Sequence, residues 1–107
     1  MSPAPAYEDA LDALGDPTRR RVLELLRGGP LPVGEVAAQL PVSRPAVSKH
    51  LKVLGEAGLV THVRVGTRSL YRIDARGLEV VRAYVDGFWT EVLTAFAEHI
   101  EHAEEER

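Results

Sequence analysis

The run from Val33 to Val60, VGEVAAQLPVSRPAVSKHLKVLGEAGLV, constrains this chain more than any other stretch. Val33, Val36, Ala37 and Leu40 fall at i, i+3, i+4 and i+7, one face of a helix. Pro41-Val42-Ser43 interrupts that period as a short turn. Ser43 is a good N-cap, because its hydroxyl accepts from the free amides of the following turn. Pro45 then stands in the first turn, where a missing N–H matters little. Val47, Leu51 and Leu54 form the inward stripe of a second helix, and Gly58 follows Ala57 as a residue able to take positive φ. Two helices joined by so short a turn make a helix-turn-helix.

The opposite face of the second helix carries Arg44, Ser48, Lys49 and Lys52. Long cations and a small hydroxyl are the types that reach base edges and phosphates in a major groove. A solvated helix face would carry similar residues, so the next segment matters. Leu59 to Val65 and Arg68 to Ile73 are rich in β-branched residues and Tyr and read as two strands. Gly66-Thr67 between them is a hairpin loop. A hairpin directly after a helix-turn-helix is a wing. Arg64 and Arg68 flank its tip, suited to a minor groove or its phosphates, although arginines also keep an exposed edge soluble.

Charge distribution favours the same reading. The 107 residues carry a net charge of −3, which alone argues against nucleic acid. Yet Ser43 to Arg72 holds six cations (Arg44, Lys49, Lys52, Arg64, Arg68, Arg72) against a single carboxylate, Glu56. The remainder holds seven cations and fifteen carboxylates. A basic face on an acidic body is the electrostatic footprint of a DNA binder. With 45% hydrophobic and 27% charged residues, the composition is that of an ordinary globular chain. No apolar run approaches the ~20 residues of a membrane span, and Ser2-Pro3-Ala4-Pro5 is not a signal-peptide pattern. The expected compartment is the cytoplasm. Cysteine is absent, which removes disulfides and thiol chemistry. No Ser/His/Asp set at a known spacing and no phosphate-cradling glycine loop are present, so no enzyme is expected.

Before the helix-turn-helix, Tyr7 to Leu14 reads as a short helix with Tyr7, Ala10, Leu11 and Leu14 on one side. Asp16-Pro17 opens another, running to about Arg27, with Val22, Leu23 and Leu26 inward. Arg19, Arg20 and Arg21 oppose the helix dipole there, so a carboxylate such as Asp16 or Asp9, or a DNA phosphate, is expected to compensate. Gly28-Gly29-Pro30 stops the helix.

After the hairpin, Asp74 to Gly77 reads as a connection, and Leu78 to about Ala103 as one long helix. Leu78, Val81, Val85, Phe88, Val92 and Ile100 keep the period, while Val80, Tyr84, Trp89, Leu93 and Phe96 add a second apolar flank. That stripe is too wide for a helix with one side in water. One surface packs on the chain's own body; the other is most simply covered by a second copy. Tyr7, Leu11, Val81, Tyr84, Val85, Phe88, Trp89 and Val92 are the expected dimer contacts. Gly87, mid-helix, suggests a close approach or a slight kink. The expected organisation is a flexible start (1–6), a winged helix-turn-helix domain that includes the dimerisation helix (7–100), and an acidic, fraying tail (101–107).

With those residues in hand, the chain resembles the ArsR-type (arsenic-repressor-like) winged-helix transcriptional regulators of bacteria. The resemblance covers nearly everything from Ala10 to about Ala97. It is carried by Leu14-Gly15-Asp16-Pro17-Thr18-Arg19, Val33-Gly34-Glu35-Val36-Ala37, Ser43-Arg44-Pro45-Ala46-Val47-Ser48-Lys49-His50-Leu51-Lys52-Val53-Leu54, Ala57-Gly58-Leu59-Val60, and Gly66 with Tyr71. With Phe88-Trp89 and a long last helix, it looks most like the metal-independent autorepressor branch. The resemblance implies a mainly α fold with one small hairpin, dimerised through the first and last helices. It also implies two recognition helices in successive major grooves and repression by blocking a promoter. Two-fold symmetry then implies a pseudo-palindromic operator with half-sites ~10–10.5 bp apart or a multiple of that. Ser43, Arg44, Pro45, Ser48, Lys49, Lys52, Arg64 and Arg68 are the DNA-contacting candidates. Of these, Arg44, Ser48 and Lys49 would read or flank bases, and Ser43, Lys52, Arg64 and Arg68 would grip phosphate or minor groove.

Departures from the family pattern bear on effectors. Arsenic, cadmium and lead sensors carry Cys-x-Cys on the helix where this chain has Val33-Gly34-Glu35-Val36. Zinc sensors carry an Asp-x-His pair and a second His-containing pair on the last helix. Asp86, Phe88 where His belongs, His99 and His102 imitate part of that spacing. They lie about three helical turns too late and lack one ligand, so no metal or other cofactor is implied. Two further readings stay open: a metal- or ligand-responsive regulator, whose pocket would lie near Tyr84, Phe88 and Trp89, and a winged-helix protein-interaction module without DNA. His50 suggests a phosphate contact or a bond steadying its helix, and His62 has no evident partner.

Overall fold

Helix caps set most of the chain's punctuation. A computed structural model describes residues 6–105. The expected flexible start lies almost entirely outside the described residues, as does the end of the acidic tail. The elements are α1 (Ala6–Leu14), α2 (Pro17–Leu26), α3 (Val33–Ala38), α4 (Arg44–Glu56), β1 (Val60–Val65), β2 (Arg68–Ile73) and α5 (Ala75–Glu105). This is a mainly α fold with one antiparallel hairpin, the winged helix-turn-helix.

Asp16 caps α2, its carboxylate accepting from the amides of Thr18 at 2.8 Å and Arg19 at 3.0 Å. The Arg19 amide does most to hold that carboxyl below its usual range, with Thr18, the Arg19 guanidinium and His50 adding to it. Ser43 caps α4, accepting from Ala46 at 3.3 Å. The other end of α4 closes with Gly58 at φ +76° and the Leu59 amide donating back to Leu54 at 2.9 Å, a Schellman closure that satisfies the last carbonyls. Gly66 opens the hairpin loop at φ +64° while Thr67 stays at negative φ, as a type II′ turn requires. Pro32 stands where α3 needs a cap and supplies none. The helix ends at Ala38 rather than Leu40, so five residues rather than three separate it from α4.

The core lies where α1, α2, α3, α4 and the root of the hairpin meet. Ala10, Ala13, Val22, Leu23, Leu26, Val36, Val47, Leu51, Leu54, Leu59 and Val60 are buried. Leu51, Leu54 and Leu59 are among the largest fully buried side chains, each contributing about 1.5–3 kcal/mol of transfer free energy. The wing is tied to this core from outside its own ladder. Leu31 and Tyr71 exchange backbone hydrogen bonds at 2.9 and 2.8 Å, adding a one-residue bridge to the two strands.

The expected internal ion pair forms at Arg19, which approaches Asp16 at 3.9 Å. Its strong bonds go to backbone oxygens, Nε to Ala13 at 2.7 Å and Nη2 to Asp12 at 3.2 Å, and Arg20 reaches Leu14 at 2.7 Å. These carbonyls stand at the C-terminus of α1, a partial negative charge that cations stabilise.

Helix α5 differs from expectation at both ends. It starts at Ala75, with Asp74 accepting from the Arg76 amide at 3.0 Å, so the expected connection Asp74–Gly77 is mostly first turn. It continues to Glu105, past the expected start of fraying. Gly77 is buried against Gly58, and a Cβ there would collide with the Gly58 carbonyl. Gly87, the expected close approach, has open space within the chain. Of α5, only Gly77 is buried. The helix is about 46 Å long at 1.5 Å per residue. The radius of gyration is 19.2 Å, against about 13 Å for a compact chain of this length. The long helix projects from the body.

Candidate nucleic-acid interface

The buried stripe Val47, Leu51 and Leu54 fixes the rotation of α4 on the core. Arg44, Ser48, Lys49 and Lys52 are therefore exposed together on its outer side, with Ser43 and Pro45 exposed at its start. The Arg44 guanidinium lies over Gly34 at the start of α3, in ordinary van der Waals range of a Cβ placed there. In the hairpin the register pairs Arg64 with Ser69 and Val65 with Arg68, which carries both arginines to the exposed tip.

The charges of this surface differ from those elsewhere. Among the described residues Arg44, Lys49, Lys52 and Arg64 have no carboxylate within 4 Å, whereas Arg76 is paired to Asp74 at 2.8 Å and Arg82 to Glu79 and Asp86 at 3.7 and 3.6 Å. Arg68 is the exception within the surface. It meets Glu35 of α3 at 3.6 Å, both side chains more than half exposed. Sequence reading missed that pair, because Glu35 and Arg68 come together only when the wing folds back beside α3.

A cleft of about 240 Å³ separates α4 from the hairpin. Ser48, Leu51, Lys52 and Gly55 form one wall; Val60, Thr61, His62 and Tyr71 form the other. His62 is exposed and faces Tyr71 across the ladder, ring centroids 5.9 Å apart. Thr61 and His62 were not among the expected site residues. The available signal was His62 at i−2 from Arg64, which puts both on one face of β1. His50 is half-buried on α4 and near enough to Asp16, the cap of α2, to help lower its carboxyl.

The expected dimer residues divide into two groups. Tyr7 of α1 stacks on Tyr84 of α5 at 4.3 Å, and Phe88 meets Tyr84 edge-on at 5.0 Å. Tyr7, Leu11, Val81 and Tyr84 are thus half-covered within the chain. Val85, Phe88, Trp89 and Val92 are exposed, Trp89 at 58%, and ring a shallow hollow of about 200 Å³. Leu93, Phe96 and Ile100 carry the same face outward, Phe96 at 61%. Further along α5, Asp86 is held by Arg82 and His102 lies 3.7 Å from Glu105, each on its own helix face.

Residues 14–63 match the family model described as a helix-turn-helix domain. Over 101 residues the chain is 50% identical to the HTH-type transcriptional regulator Rv2034 of Mycobacterium tuberculosis, covering 94% of each. An ArsR-like transcriptional regulator from Rhodococcus sp. RHA1 superposes with a TM-score of 0.71 at 33% identity, over 85% of this chain and 89% of that one. The chain belongs to the ArsR family of winged helix-turn-helix transcriptional regulators. A further ArsR-type neighbour, the homodimeric winged helix-turn-helix DNA-binding domain of Mb0332 from Mycobacterium bovis, matches at TM-score 0.63 and 29% identity over 83% of this chain and 78% of that one. In this ArsR-type regulator α3 and α4 are the helix-turn-helix, α4 the recognition helix and β1–β2 the wing. No described helix is long and apolar enough to cross a membrane.

Proposed function

We propose that this regulator is a transcriptional repressor that acts as a homodimer, binding a pseudo-palindromic promoter operator in the cytoplasm, without a metal or other cofactor. Its nearest support is the set of named transcriptional regulators and winged-helix structures it resembles. The observation that carries the reading is the row Arg44, Lys49, Lys52 and Arg64 on α4 and the wing, which lack carboxylate partners among the described residues. Exposed cations left unpaired inside the chain neutralise phosphates at little internal loss, and the counterions they release drive binding. Arg44, Ser48 and Lys49 lie where base edges would be met, with Ser43, Pro45, Lys52, Arg64 and Arg68 around them toward the backbone and the minor groove. The apolar outer face of α5, with the α1 residues beside it, is where the second copy sits; the neighbour whose solution structure is homodimeric supports this. Bound across a promoter, such a dimer represses by excluding polymerase.

Selection of bound duplexes from a random pool, with purified protein and a chelator, tests the proposal. Recovery of one inverted repeat is expected. Enrichment only after a metal or small molecule is added would replace this reading with a sensor. No enrichment under any condition, with wild-type folding intact, would leave a protein-interaction module.

A further inference from the structure

The cleft between α4 and the hairpin has a lining that the recognition-helix picture does not use. Ser48 and Lys52 reach it from α4, and His62 from β1, with Tyr71 closing the back. All four are hydrogen-bond donors, Lys52 carries a charge, and no carboxylate lines the cleft. Glu56, one turn beyond Lys52, lines a different cleft with Asp9 and Asp12 on the other side of α4. At about 240 Å³ the cleft holds roughly eight waters' worth of volume at ~30 Å³ each, enough for a partly hydrated phosphodiester. It also lies between the two elements that flank a DNA backbone strand in the proposed complex, the recognition helix in the major groove and the wing beyond it.

We infer that this cleft seats one backbone phosphate of each half-site, with Lys52 and a protonated His62 on either side of it and Ser48 as a neutral donor. The inference rests on the DNA-binding reading above and adds to it a second wall and a titratable contact. Tyr71 holds the imidazole in place, its ring set at 48° to that of His62. The charged and titratable groups around His62 are Lys52 from α4, Tyr71 from β2 and Arg64 two residues along its own strand. A phosphate in the cleft favours the charged imidazole over the neutral one. Protonation of His62 is therefore coupled to occupancy of the cleft. Histidine is the side chain whose charge changes between about pH 5 and 8, so operator affinity rises as pH falls through that window.

The test uses the full chain and a duplex recovered by selection with the wild-type protein, followed by anisotropy at pH 6 and pH 8. His62→Gln is expected to bind about threefold more weakly than wild type at pH 6, with a salt slope smaller by roughly 1, and to match wild type at pH 8. His62→Lys keeps a cation without titrating, and is expected to hold wild-type affinity at pH 6 and lose the pH dependence. A scan of single, charge-neutral methylphosphonates along the duplex should find one position per half-site that weakens wild type at pH 6 more than it weakens His62→Gln, which keeps the Lys52 contact. If wild type binds the duplex and His62→Gln follows it at both pH values with the same methylphosphonate profile, the cleft assignment is wrong and the DNA-binding reading stands. If wild type selects no duplex, both fall together.

Discussion

Helices α4 and α5 each turn an outer face to solvent, and the two faces have opposite chemistry. The α4 face presents Arg44, Lys49 and Lys52, cations without carboxylate partners among the described residues, together with the Ser48 hydroxyl. The α5 face presents Val85, Phe88, Trp89, Val92, Leu93 and Phe96. A solvated cation is in no distress, so the first face is stable as it stands and becomes informative through its missing counter-charges. An exposed run of aromatic and branched side chains is unfavourable in water and marks a surface that meets a partner. The first face should therefore answer to salt and the second to protein concentration.

Disrupting the apolar face should have the largest effect. Phe88→Glu with Trp89→Glu places two carboxylates where aromatic contacts are expected, and anchors of this kind are worth about 2 kcal/mol or more each. Sedimentation should show a monomer at concentrations where wild type is dimeric, with operator affinity falling in parallel. A double variant that still sediments as a dimer would move the interface elsewhere. Next is Gly77→Ala, which sets how α5 leaves the body. The added methyl meets the Gly58 carbonyl, and relief by backbone shift costs about 1–3 kcal/mol, read as a lower midpoint in denaturant. Unchanged stability would mean that the two glycines are not pressed together.

On the charged face, Arg44→Ala should weaken operator binding by ~1–3 kcal/mol and relax specificity at one position. Lys49→Ala, if it meets only phosphate, should weaken all sequences alike and flatten the salt slope by about 1; loss at a single base position instead would make it a base reader. The smallest change has the opposite sign. Glu35→Gln releases Arg68 from its one ion pair and removes a carboxylate from the basic surface. Since exposed pairs are worth ~0.2–1 kcal/mol, DNA affinity should rise up to about fivefold at low salt, and a drop would show that Glu35 positions Arg68 productively.

Features confined to one or two turns of chain were legible from residue order. Asp16 and Ser43 cap the helices they were expected to cap, Gly58 and Gly66 take the positive φ their positions called for, and Val47, Leu51 and Leu54 are buried together. Each depends on groups within about four residues, and 3.6-residue periodicity or a cap's own chemistry reports them. The winged helix-turn-helix followed from those local units, because helix, turn, helix and hairpin in that order have few ways to bury their apolar stripes.

Contacts across the chain were not legible in that way. Beyond the expected Arg19–Asp16 pair, Arg19 and Arg20 took backbone carbonyls of α1 that charge counting did not suggest. Glu35 found Arg68 thirty-three positions away. The glycine pressed against a neighbour proved to be Gly77 rather than Gly87. Composition shows which groups seek partners. It does not show which partners arrive, because free carbonyls, a neighbouring glycine or an opposing charge come within reach only when separate elements pack. The order of residues thus settles which segments are helix, turn and hairpin and which of their faces are apolar or charged, since those depend on short-range periodicity and capping. The folded chain settles which charges are cancelled and which faces stay uncovered, because that depends on distances between segments far apart in sequence.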